Sequence, residues 1–99
     1  MQDILKALGQ RIRELRKKKG FSQEGFADSA GVHRTWMGAL ERGERNLSFH
    51  NLVLISRALG MTLSQLVSGV EKRAQSLSMK HANSGPLTGT EQRKGRPQT

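Results

Sequence analysis

Four residues that open a short helical stretch after a glycine, His33-Arg34-Thr35-Trp36, carry hydrogen-bonding chemistry suited to a polyanion with readable edges. An arginine presents five N–H donors in a planar fork and can give two of them to one guanine. A threonine offers a hydroxyl to a base or phosphate and a methyl to thymine. Further along the same stretch, Gly38 and Ala39 leave a low surface that can lie close to bases, although a glycine inside a helix costs ~1 kcal/mol against alanine. Trp36, the one tryptophan, has two readings: packing against a neighbouring helix, or offering its indole N–H to a phosphate. His33 stands at a helix-cap position, where a neutral imidazole accepts a backbone N–H and a charged one does not.

These side chains need elements that hold them at a fixed angle. The stretch Gln23 to Arg42 reads as two short helices joined at Gly31, where a left-handed turn residue is easiest. Ser22 suits the cap of the first of the pair, with Glu24 in its first turn. Phe26, Ala27 and Ala30 form its apolar face, and Val32, Met37 and Leu40 anchor the second of the pair, leaving Arg34, Thr35, Gly38 and Ala39 outward. Upstream, Leu5, Leu8, Ile12 and Leu15 recur at helical spacing, and the run Arg16-Lys17-Lys18-Lys19 suits a helix C-terminus before Gly20. Gly9 and Gly20 read as punctuation. Downstream, Arg42 to Asn46 reads as a loop. Ser48 then caps a fourth helix carrying Leu52, Ile55 and Leu59. Thr62 and Gln65 have capping-box spacing for a fifth helix with the stripe Leu63, Leu66, Val67 and Val70. Nothing alternates like a strand. The expectation is an all-α, compact five-helix domain over residues 1–76, followed by a disordered basic tail over 77–99.

The chain has 99 residues, enough for one small domain, with 17 Lys+Arg against 8 Asp+Glu and a formal net charge of +9. That excess favours nucleic acid or an anionic surface. Lys80, Arg93, Lys94 and Arg96 against Glu91 place only a third of it in the tail. The longest aliphatic run, Leu52 to Ile55, falls far short of the ~20 apolar residues of a membrane span, and the N-terminus lacks a signal pattern. The absence of cysteine excludes disulfides and fits the cytoplasm. His33, His50 and His81 lack metal-ligand spacing, no cofactor is expected, and no catalytic constellation or glycine-rich phosphate loop occurs. An enzyme is not the expectation.

The segment from about Gly9 to Gly69 resembles the phage-repressor/Cro-type helix-turn-helix family, also called XRE. The match comprises IRELRKKKGFSQ, the helix pair itself and LERGERNLSFHNLVLISRALGMTLSQL, about three fifths of the chain. Within the family, the Arg-Thr-aromatic opening and the Glu-Arg…Arg-Asn loop are similar to those of restriction–modification controller proteins. The resemblance implies a lambda-repressor-like fold and transcriptional regulation through double-stranded operator DNA. It gives Gln23 a backbone contact and a bracing role. Arg34, Thr35 and Ala39 would face bases, and Arg42, Arg45 and Asn46 would lie by phosphates. Arg16 and Glu41 match an internal ion pair joining the first and third helices. The fifth helix, with Leu63, Leu66, Val67 and Val70, would join two copies as a homodimer. Gly25 departs from the family's longer residue, His33 from its usual cap, and the tail from its pattern altogether. A second class of function stays open at this point: an antitoxin or other interaction module that grips a partner protein through the tail.

Overall fold

A computed structural model describes residues 2–82, which form six helices and, among the described residues, no strand. They are α1 (Gln2–Lys18), α2 (Gln23–Ala30), α3 (Arg34–Glu41), α4 (Phe49–Ala58), α5 (Leu63–Val67) and α6 (Val70–Ala82). Short polar residues set the starts. The Ser22 and Ser48 hydroxyls accept from the N–H groups of Gly25 and Asn51 at 2.9 and 3.1 Å. Thr62 and Gln65 form a reciprocal capping box.

The core lies where α1, α2, α3, α4 and α5 converge. Ile12, Phe26, Met37, Leu40, Ile55, Leu59 and Leu66 are all fully buried there. Two glycines set the geometry around α3. Gly31 takes φ 76° between α2 and α3, which lets the Val32 N–H bond back to the Ala27 carbonyl at 3.0 Å. Gly9 lies inside α1, and a Cβ there would stand 2.5 Å from the Leu40 carbonyl oxygen and 2.6 Å from that of Glu41. It is the contact point of α1 with α3 rather than punctuation. No side chain fits between the two backbones.

The expected fifth helix is divided. Ser68 leaves the helical conformation with ψ 126° and Gly69 takes a φ of 79°, so α5 ends at Val67 and a sixth helix begins at Val70. That helix runs across the expected boundary at 76/77, so Leu77 to Ala82 are helical rather than tail. The physical reason is a second apolar stripe, Val70, Ala74 and Leu77, which packs onto the core. Flanking polar bonds fix its antiparallel course along α1. Arg73 clasps Glu14 through two bonds of 2.7 and 2.8 Å, and the Ser78 hydroxyl donates to Asp3 at 2.7 Å. The rest of the expected disordered tail, with its suggested partner-binding role, lies outside the described residues.

Candidate nucleic-acid interface

The α3 helix is held by its back and open at its first turn. Met37 and Leu40 are fully buried, whereas His33, Arg34 and Thr35 are exposed. His33 is the N-cap: its Nδ1 accepts the Thr35 backbone N–H at 3.1 Å. The imidazole therefore acts first as an unusual cap. Trp36 is half-buried and packs against the core.

Behind α3, Arg16 is only 7% exposed and Glu41 8%. The Arg16 Nε and Nη2 donate to the two Glu41 oxygens at 2.7 and 3.0 Å, and its Nη1 donates to the Phe21 carbonyl at 2.9 Å. Every guanidinium nitrogen is thus occupied, and the end of α3 is tied to α1 and to the entry of α2. Gln23 joins this group by donating its side-chain amide to Glu41 at 3.1 Å. A clamped Gln23 leaves its second amide proton for another acceptor.

Gly38 and Ala39 differ from their expected exposure. Both are buried. Gly38 does face outward, but Gln23 and Arg42 lie over it, their nearest atoms 3.2 and 3.3 Å from where a Cβ would be. A position with no side chain is covered by its long neighbours. Together Gln23, Gly38, Glu41 and Arg42 line a polar concavity of about 230 Å³ with Arg13 and Arg16. Arg13, on α1, is a cationic member of this surface that the sequence reading passed over. The signal available was its place one turn before Lys17 on the polar face of α1.

The exposed arginines at the two ends of α3 each face a carboxylate. An Arg34 Nη1 lies 3.3 Å from a Glu24 oxygen. Arg42 donates from Nε and Nη2 to Glu44 at 3.0 and 3.2 Å. That hydrogen bonding holds the Glu44 carboxyl below its usual range. Arg45 is exposed in the loop that follows. Asn46 is also exposed, but it sits at the edge of a different feature, an apolar groove of about 330 Å³ lined by Ile4, Leu5, Leu8, Leu47, Leu52 and Val67 among others.

The residues expected to join two copies separate into two kinds. Leu66 is fully buried and belongs to the core of its own chain, while Val70, 5% exposed, is also a core residue but lines the apolar groove. Leu63 is half-buried, and Val67 at 39% is the exposed member. Phe49, 70% exposed at the start of α4, was not singled out from the sequence.

Comparisons with known proteins agree with this architecture. A helix-turn-helix family model matches residues 12–66. The control protein C.MunI from Mycoplasma is 45% identical over 73 residues, 73% of this chain and 99% of that one. The control protein C.SmaI from Serratia marcescens is 35% identical over 66 residues, 67% of this chain and 79% of its own. Among solved structures, the restriction–modification controller C.AhdI from Aeromonas hydrophila superposes with a TM-score of 0.61 at 44% identity, covering 63% of this chain and 94% of its own. C.Esp1396I, solved as a tetramer in complex with its natural 35 base-pair operator, superposes with a TM-score of 0.65 at 28% identity over 73% of this chain and 95% of its own. The chain belongs to the XRE-type helix-turn-helix family of DNA-binding transcriptional regulators.

Proposed function

We propose that this protein is a cytoplasmic regulator that binds a double-stranded DNA operator as a homodimer, with the first turn of α3 in the major groove. The observation that carries this reading is the division of α3 itself. Residues 37–41 are buried against their own domain, while Arg34 and Thr35 stand exposed at the opposite end. Helices of this kind touch base edges with their N-terminal residues. Arg34 donates to guanine and Thr35 to a base or phosphate. Gln23, Arg13, Arg42 and Arg45 meet the backbone around them. Phosphate contacts then supply much of the affinity and make it fall steeply with salt.

A two-fold pair of such domains reads half-sites about one helical turn, ~34 Å, apart. The exposed Val67 and the apolar groove beside it, with Leu47 and Leu52, provide the surface by which two copies join. The relative C.Esp1396I, crystallised on its operator as a tetramer, supports assembly on DNA. Selection from a random DNA pool yields the site, and gel shifts on that duplex test the assignment. Arg34→Ala is expected to lose about 1–3 kcal/mol of discrimination at one base position. Unchanged discrimination would remove α3 as the reading helix.

A further inference from the structure

The arginine with the most direct route to bases does not stand alone: it shares its surface with a carboxylate. Glu24 comes from the first turn of α2 and Arg34 from the first residue of α3. The turn at Gly31 fixes the two elements against each other, and the Arg34 Nη1 lies 3.3 Å from the Glu24 Oε1. Both side chains are about two-thirds exposed, 64% and 68%, so the pair lies on the outside of the domain rather than inside it. We infer that Glu24 is a specificity-determining positioning residue that acts through Arg34. This rests on the reading of α3 given above.

Two physical effects follow from the placement. The contact engages the Nη1 corner of the guanidinium, leaving Nε and Nη2, which share the other edge, for the paired acceptors O6 and N7 of a guanine. An arginine tethered by one corner sweeps fewer orientations and meets fewer phosphates by chance. The second effect is repulsion. A carboxylate on the DNA-facing surface opposes every phosphate that approaches, whatever the sequence. That penalty is equal on every sequence, so the difference between sequences comes from the orienting contact, which helps binding only where a guanine meets the aimed edge. Glu24 thus lowers binding to all DNA and lowers it least where Arg34 finds its guanine. Arg42 and Glu44 differ, because there both nitrogens of one edge are already given to the carboxylate. That arginine is occupied rather than aimed.

The test is a double-mutant cycle on the full chain with wild type, Glu24→Gln, Arg34→Ala and the double variant. Each is titrated against the duplex selected by the wild type and against a random-sequence duplex of equal length, at one salt concentration. Glu24→Gln is expected to tighten binding to random DNA and to lower the selected-to-random ratio by about fivefold, the scale of one exposed charge pair. In the Arg34→Ala background the same change should leave the ratio unmoved while still tightening both duplexes. A ratio that does not fall in Glu24→Gln, or that falls equally in both backgrounds, overturns the positioning role while leaving α3 as the reading helix. If Arg34→Ala alone leaves the ratio intact, the reading of α3 fails and this inference fails with it. Thermal unfolding of all four variants should coincide, which separates the effect from any loss of fold.

Discussion

Two of the arginine–glutamate pairs around α3, one buried and one exposed, behave in opposite ways. The pair Arg16–Glu41 has side chains 8% and 4% exposed, with a 2.7 Å contact and a second hydrogen bond. The pair Arg34–Glu24 is about two-thirds exposed with a single 3.3 Å contact. The chemistry of the groups is the same. In the first, burial withdraws both groups from solvent and each partner is needed to compensate the other, so the pair acts as a fixed strut between α1 and α3. In the second, water screens the charges and the pair contributes little to stability. Its groups stay available to whatever approaches from outside.

The comparison breaks first at the strut. Arg16→Met should cost about 3–5 kcal/mol in urea unfolding, because Glu41 is left buried and unpaired. The double change Arg16→Met/Glu41→Leu should recover part of that loss. A cost equal to that of an exposed pair would show that the strut is not desolvated. A second test presses on the backbone that positions Glu41. Gly9→Ala forces a Cβ into the Leu40 and Glu41 carbonyls. The overpacking should cost about 1–3 kcal/mol and lower the melting temperature without altering any charge.

Smaller effects belong to the outer surface. His33→Ala removes the acceptor that caps α3 and should lose about 1 kcal/mol, while His33→Asp should restore it. Equal stability of both variants would mean that the imidazole does not cap. The smallest change concerns the exposed pair between α1 and α6. The hydrogen bond from Arg73 holds the Glu14 carboxyl below its usual range. A carboxylate with a depressed folded-state pKa adds stability above its unfolded pKa and loses it as pH falls through the folded one. Glu14→Gln should therefore cost no more than about 1 kcal/mol at neutral pH. The difference from wild type should vanish under acid, as followed by chemical unfolding across a pH series.

Much of the fold could be read from residue spacing, and the exceptions have physical causes. The stripe Leu8 and Ile12 continues at the same four-residue interval to Arg16, so a charged residue occupies a core position. Periodicity marks that position as inward, but only the facing Glu41 makes burial of the charge tolerable. The dipeptide Ser68-Gly69 carried a turn signal that the longer apolar stripe concealed. A helix through Leu77 was obscured because Ala74 is small and the residues around it are polar. Their stability comes from α1, which no local pattern represents.

Local residue pattern was enough for the starts of α2, α3, α4 and α5, the turn at Gly31, the inward faces of α2, α3 and α4, and the cationic character that suits DNA. These are local properties: a cap bonds within three residues, and a helical face repeats within four. Which side chains of α3 are uncovered depends instead on how the helices pack. That packing set Gln23 and Arg42 over Gly38, drew Leu66 and Val70 into the core, and placed Glu24 beside Arg34. Exposure and pairing depend on residues far apart in the chain. They are settled when helices pack, because a buried group must find its partner there and an exposed one need not.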